Sequence, residues 1–205
     1  MGIRYSTQRN LLPGMVQQAK TLHGKAVEVG VLDGEHAWLA GIHEYGCTIT
    51  AKNGKYLTIP CNPQAAKASA RSFPDLFVLT LDDGSRWLVR NQGKDRLEFM
   101  YQLVQSVQIP ERSFLRAGFD ACHEAVMQQV ERALKNVLTA GNAEDVLRMC
   151  GKQLASQIKA YARDLKDPPK EKITIAASGG GKTNPLFQTG AMINGITYRI
   201  RSAAE

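Results

Sequence analysis

The run Gly179–Thr183 is the part of this chain that most resembles a chemical motif, the phosphate-binding loop. That loop needs a glycine, four further residues and then Gly-Lys-Ser/Thr, followed by a helix whose N-terminus faces the phosphate. Ala176 stands where the first glycine is required, and Asn184-Pro185 follows, which breaks a helix rather than opening one. The sequence therefore predicts a flexible glycine loop that binds no nucleotide.

Two histidines invite a metal-binding interpretation. His36 and His43 are seven residues apart and lie beside Glu35 and Glu44. Metal-binding helices usually place their ligands three or four residues apart, and the second histidine of H-E-x-x-H is missing after His43. These residues are therefore predicted to make polar or helix-end contacts, and no metal site is expected.

The remaining reactive side chains also lack a catalytic pattern. The four cysteines, at positions 47, 61, 122 and 150, include no C-x-x-C pair, which favours buried reduced thiols over zinc or disulfide chemistry. No G-x-S-x-G run occurs, and Asp82-Asp83 lies in a turn-like sequence. The sequence thus predicts a protein that is not an enzyme, with no catalytic residue and no cofactor.

Composition limits the class of protein. The 205 residues suit a single domain spanning 1–205, and 43% of them are hydrophobic. No run of 18 apolar residues occurs, so no membrane partner is expected. The net charge of +7 leaves a DNA partner open, although the basic residues are spread along the chain without a run of five.

Periodicity predicts the elements that must position these residues. Apolar residues at helical or alternating spacing predict helices at 7–23, 35–45 and 189–193, and strands at 25–32, 47–51, 55–60, 76–81, 86–90, 99–109 and 195–200. Lys52-Asn53-Gly54 is predicted to join two of these strands as a hairpin. Residues 61–75 contain little to bury and are predicted to form an exposed arm, and 168–186 a flexible loop.

Two long helices are predicted next to each other. The first spans 111–140, and the second begins after Asn142, which is a favourable N-cap. Their apolar stripes are expected to pack together, with residues 115, 119, 122, 126, 130, 133 and 137 on one helix and 146, 150, 154, 158, 161 and 165 on the other. The expected fold is α+β: a mixed, mostly antiparallel sheet packed against a long antiparallel helix pair, with an exposed β-rich insertion.

Three short motifs stand out along the chain. They are His43-Glu44-Tyr45-Gly46, then Ile109 to Arg116 with Pro110, Arg112, Phe114, Leu115 and Arg116, and finally Pro185-Leu186 with Thr189-Gly190. Pro110 separates a strand from a helix, and Gly46 and Gly190 stand at helix ends, where glycine tolerates a positive φ. In this order, and with the valine-rich strand Val27–Val31 before them, the motifs resemble those of bacteriophage tail-completion proteins, also described as virion-morphogenesis or minor tail proteins.

The resemblance implies a structural role in the virion, at the neck or the top of the tail. Such proteins form rings, often of six copies, that complete the tail tube and meet the head connector, while genomic DNA passes through the lumen without sequence recognition. Assembly would take place in the host cytoplasm. The alternative, motivated by the charge of +7, is a DNA-binding or packaging-associated phage factor. A hydrolytic enzyme ranks third.

Overall fold

The computed structural model describes residues 12–52, 54–93, 96–140 and 142–202. Its elements make an α+β fold, as predicted from the sequence. The helices are α1 (Leu12–Leu22), α2 (Glu35–Tyr45), α3 (Arg116–Ala140), α4 (Ala143–Asp164), α5 (Lys172–Ala177) and α6 (Ala191–Asn194). The strands are β1 (Lys25–Val31), β2 (Cys47–Thr50), β3 (Leu57–Pro60), β4 (Phe77–Thr80), β5 (Arg86–Asn91), β6 (Leu97–Val104), β7 (Ser106–Ile109) and β8 (Ile196–Ser202).

Within the described residues the strands form three antiparallel sheets, rather than the single mixed, mostly antiparallel sheet expected from the sequence. β1 pairs with β8, β2 pairs with β7, and a four-stranded sheet has the order β3-β6-β5-β4. The predicted hairpin around Lys52-Asn53-Gly54 is wrong for the same reason, since β2 and β3 join different sheets; Asn53 itself lies outside the described residues. Alternation of apolar residues indicates a strand but does not choose its partner.

The described chain divides into two compact units. Of the described residues, the first unit takes 12–32, those from Leu115 to Ala160 and those from Gly195 to Ser202. The second takes Asp33–Phe114 and Tyr161–Asn194. Helix α4 contributes residues to both units. Neither unit is continuous in sequence. The single domain spanning 1–205 stays a prediction.

The core of the first unit joins the two long helices. Val126 and Val130 of α3 cluster with Val146, Cys150 and Leu154 of α4. This cluster confirms that the central parts of the two predicted stripes pack against each other. Tyr198 of β8 lies against Gly151 of α4 so closely that a Cβ at this glycine would be 2.2 Å from the ring. On β1, Glu28 accepts a hydrogen bond from Arg199 and pairs with Arg201 at 2.9 Å.

One member of the predicted stripe on α3 is misplaced. Phe119 was expected to be buried, but 43% of the residue is exposed and its ring stacks on His123 at 5.1 Å. The predicted stripe is thus buried in the middle of α3, at Val126 and Val130, and is exposed nearer the start of the helix, at Phe119. The side chain of Val137, another member of the predicted stripe, lies outside the described part of the structure.

The core of the second unit explains why the segment 61–75 is not simply an exposed arm. Two 3-10 turns, Ala65–Lys67 and Ala70–Ser72, lie in it. Ala65 is buried with Met100 and Tyr101, and Phe73 packs against the same cluster. The Tyr101 hydroxyl donates to the Ala68 carbonyl at 2.7 Å and lies 3.1 Å from the Ala65 carbonyl. Part of this segment thus packs against β6 of the four-stranded sheet.

Candidate functional site

Two of the three sequence motifs meet at the backbone around Pro110. Gly46 has φ +68°, and a Cβ at this position would lie 2.8 Å from the Glu111 nitrogen and 2.9 Å from the Ile109 oxygen. The Arg112 N–H donates to the His43 carbonyl at 2.7 Å. Glycine is therefore required at position 46 both by its conformation and by the close approach of another backbone segment.

The region where residues 43–46, 109–112 and 168–170 meet is called the junction of this site. Arg112 is its most deeply buried cation. The residue is 6% exposed, and its side chain donates from Nε to the Pro168 carbonyl and from Nη2 to the Pro169 carbonyl, each at 2.8 Å. Burial lowers the pKa of Arg112. The guanidinium fork acts here as a clamp on a Pro-Pro turn that starts with a cis Asp167–Pro168 bond.

His43 and Glu44 lie beside this clamp. Glu44 is 3% exposed and accepts a hydrogen bond from Ser113 Oγ at 3.0 Å. Nδ1 of His43 is buried and has no hydrogen-bond partner among the described residues. Burial, followed by the charges of Arg112 and Lys170, lowers the pKa of His43 to about 4. The imidazole is thus neutral at physiological pH.

Lys170 ties the third motif to the Pro-Pro turn. Its ammonium donates to the carbonyls of Lys182 and Phe187, at 3.1 and 2.9 Å. Pro185 and Leu186 are buried. Gly190 has φ +83°, and a Cβ there would approach the Phe187 ring to 2.8 Å. Thr189 Oγ1 accepts the Ala191 N–H at 3.3 Å, as expected for a residue that caps α6.

The glycine-rich segment terminates a helix instead of preparing a phosphate site. Helix α5 was not predicted; it ends at Ala177, and the Gly180 N–H returns to the Ile175 carbonyl at 3.0 Å. No further helix begins before α6 at Ala191 within the described chain. Lys182 uses its ammonium to bind the Gln188 carbonyl at 2.7 Å. The geometry lacks the helix N-terminus that a phosphate-binding loop needs.

Asn184 connects the Pro185-Leu186 segment to the C-terminal end of α4. Its side-chain amide lies 2.7 Å from the Arg163 carbonyl and 3.2 Å from those of Ala162 and Leu165, at the C-terminal end of α4. Its Oδ1 accepts the Leu186 N–H at 2.8 Å. Carbonyls at a helix end lack partners within the helix, so a side chain distant in sequence supplies the cap. Sequence reasoning missed this role, since no local pattern indicates it.

The remaining motif residues differ in burial and in location: Tyr45 lines a shallow pocket with Gly46, Ile109 and Pro110. Phe114 is fully buried, whereas Tyr45 is 67% exposed. In the first unit, Leu115 and Arg116 line an open groove of about 460 Å³ together with Val27, Val29, Phe119, Asp120, Leu154 and Ile158. The motif Ile109–Arg116 thus supplies residues to both units. The helix predicted from Glu111 begins at Arg116, because Arg112 and Phe114 use their N–H groups in the loop.

Two kinds of site were sought among the described residues: a cluster of metal ligands and a membrane-spanning helix. They contain no group of three or more His, Cys, Asp or Glu side chains placed to hold a metal ion. None of their helices combines the length and apolar character that a membrane span requires. Burial raises the pKa of the Cys61 thiol to about 11, so that thiol stays protonated. At the junction, the contacts of Arg112 and Lys170 hold together the end of α2, the loop before α3, the Pro168-Pro169 turn and the loop at Phe187.

Comparison of the chain with protein-family models, curated proteins and solved structures finds no match.

Proposed function

We propose that this chain is a structural virion protein at the head–tail junction of a tailed bacteriophage. In this role it acts as a tail-completion or tail-terminator subunit. Copies of the chain form a ring, often of six in such proteins, that joins the tail tube to the head connector. Genomic DNA passes through the lumen without sequence recognition.

One observation carries the proposal. The three motifs that resemble the tail-completion proteins are far apart in sequence, yet residues of all three lie in one cluster of the second unit. His43 and Gly46 meet Ile109–Arg112, Arg112 grips Pro168 and Pro169, and Lys170 binds the Phe187 carbonyl. Residues used in this way maintain a shape, which suits a protein whose work is geometric.

Exposed apolar residues also support an assembly role. Trp38 and Tyr45 of α2 are 71% and 67% exposed, and Phe77 and Val78 of β4 are 40% and 59% exposed. Large apolar side chains left on a surface are frequent at protein–protein contacts. A subunit that contacts neighbours, a tube and a connector needs several such surfaces.

A phage lacking the gene tests the proposal directly. Infected cells should accumulate DNA-filled heads and unattached tails that lack their terminal ring, visible by electron microscopy. Adding the purified protein to that lysate should restore infectious particles. Mature particles that form without the protein would refute the junction role.

The runner-up is a DNA-binding or packaging-associated factor, favoured by the net charge of +7. It predicts empty heads in the same infection. It also predicts tight duplex binding by the purified chain, with an affinity that falls steeply as salt rises. The two candidates therefore differ both in the head contents and in the salt dependence of binding.

A further inference from the structure

The four-stranded sheet of the second unit ends in two open edges of equal length. β3 and β4 both have four residues, and each pairs with one strand. Among the described residues, no backbone hydrogen bond joins β3 or β4 to a strand or helix other than β6 or β5. Open edges of this kind accept a further strand unless charges, prolines or bulges protect them.

The two edges differ in their protection. β4, with the sequence Phe77-Val78-Leu79-Thr80, has neither a charge nor a proline, and the bulge of this sheet lies between β5 and β6. β3 ends at Pro60, and α5 packs near it. Natural sheets seldom leave an uncharged apolar edge such as β4 unpaired.

The hydrogen-bonding groups at these edges match each other. The Leu81 N–H bonds the Ser85 carbonyl, so the alternation of an antiparallel ladder directs the N–H groups of Val78 and Thr80 away from β5. The Cys61 N–H bonds the Met100 carbonyl, which directs the carbonyls of Thr58 and Pro60 away from β6. The missing N–H of Pro60 therefore costs the inner pairing nothing. The outward N–H groups of Val78 and Thr80 on β4 can therefore donate to the outward carbonyls of Pro60 and Thr58 on the β3 of another copy.

Strand direction fixes how the edges would meet. Each neighbouring pair in the order β3-β6-β5-β4 is antiparallel, so β3 and β4 run in opposite directions. When a second copy continues the sheet, its β3 is antiparallel to the β4 of the first copy. The end of β4 then lies beside the start of the neighbour's β3.

Charges at those ends are opposite. Asp82 and Asp83 follow β4, Lys52 and Lys55 precede β3, and all four are exposed. Opposite charges brought together at the rim of an interface fix its register and favour association over wrong pairings. Pairing of β4 with itself would lack this complement, because the acidic turn of each copy would face the start of a β4 preceded by Asp75.

We propose that β4 of one copy pairs with β3 of the next, so that the four-stranded sheets continue from subunit to subunit. This is a head-to-tail contact, which produces a closed ring when its rotation closes. The inference rests on the ring of the proposed function and names the surface that would build it. The partner at this surface is a second copy of the chain.

Charge reversal on each side tests the contact. Asp82→Lys and Lys55→Glu should each raise the dissociation constant of the ring about 10-fold or more, measured by light scattering after size exclusion. Asp83 is left unchanged because its Oδ1 accepts the Ser85 N–H and maintains the turn. Lys152→Glu, an exposed change on α4 with the same change of charge as Lys55→Glu, should leave assembly as in the wild type.

Mixing the two defective proteins is the decisive step. The lysine introduced by Asp82→Lys in one variant would face the glutamate introduced by Lys55→Glu in the other. The wild-type pair, Asp82 against Lys55, would form at the alternate contacts, so a 1:1 mixture should assemble like the wild type. Val78→Pro should also abolish assembly while the isolated subunit stays folded by circular dichroism, because it removes a donor that points away from β5.

Two outcomes separate this inference from the proposed function. A wild-type ring that Asp82→Lys and Lys55→Glu leave intact, or a mixture that fails to assemble, would overturn the β4–β3 contact alone. A wild-type chain that stays monomeric even with isolated tail tubes present would overturn the ring itself, and the contact with it.

Discussion

At the scale of single residues, three cationic side chains around the motifs bind backbone carbonyls. Arg112 donates to two proline carbonyls, and Lys170 and Lys182 donate to carbonyls of the loop near Phe187. The sequence singled out Arg112 but gave no sign of its acceptors, which lie 56 and 57 residues away. Contacts at such separations leave no periodic pattern and cannot be predicted from spacing.

Replacing Arg112 tests the clamp. Arg112→Ala leaves two carbonyls without donors in a buried site, so the free energy of unfolding should fall by about 3 kcal/mol. Arg112→Lys should recover part of this loss, because an ammonium cannot reproduce the planar fork. Arg148→Ala, at an exposed helix position, should cost less than about 1 kcal/mol. Urea denaturation of the three variants measures these differences, and equal losses for Arg112 and Arg148 would refute the clamp.

His43 should make stability depend on pH. Its folded-state pKa of about 4 lies below the ordinary value of 6.5, so folding favours the neutral imidazole. Stability from this residue is complete above pH 6.5 and falls as the pH drops toward 4, by at most about 1.4 kcal/mol per pH unit. His43→Gln should flatten the stability curve in that window. An unchanged curve for His43→Gln would contradict the burial of a neutral imidazole.

At the scale of elements, the close contact between α4 and β8 depends on one glycine. Gly151→Ala would place a Cβ 2.2 Å from the Tyr198 ring, so it should destabilise the chain although alanine favours helix. Gly41→Ala in α2 meets nothing within 4 Å and should stabilise by up to about 1 kcal/mol. Thermal melts of this matched pair should shift in opposite directions. A stabilised Gly151→Ala variant would show that Tyr198 moves aside freely.

The two long helices give a second comparison at this scale. Ile158 is 2% exposed in α4, so Ile158→Ala should cost about 2–5 kcal/mol through the cavity it leaves. Phe119 is 43% exposed, so Phe119→Ala should cost about 1 kcal/mol, well below what its place in the predicted stripe suggests. Chemical denaturation of both variants decides the matter. A larger loss for Phe119→Ala than for Ile158→Ala would show that Phe119 is buried, as the sequence predicts.

Helices and single strands were largely predictable, whereas their partners were not. The predicted helix at 35–45 and the predicted strand at 86–90 agree with α2 and β5 nearly to the residue, because each has its period and its boundary residues in one short window. The strand predicted at 99–109 is divided into β6 and β7, which join different sheets. At the candidate site, glycines with positive φ were identified, but the Asn184 cap and the Lys170 contacts depend on distant residues.

At the scale of the whole molecule, both compact units are assembled from separate stretches of chain. The fragment 33–114 contains most of the second unit but lacks Pro168, Pro169 and Lys170. It should therefore stay unfolded when expressed alone, with poor amide dispersion in NMR spectra, while the full chain gives dispersed signals. A folded fragment would show that the Arg112 clamp is dispensable for that unit.

The pairing of β1 with β8 also has a consequence for synthesis on the ribosome. Arg199 binds Glu28 from a position 171 residues later in the chain. At about 5–20 residues per second, β1 is synthesised roughly 10–30 seconds before its partner. During that interval its valines have no strand beside them. A nascent chain stalled before residue 196 should therefore be a better chaperone client than the released protein.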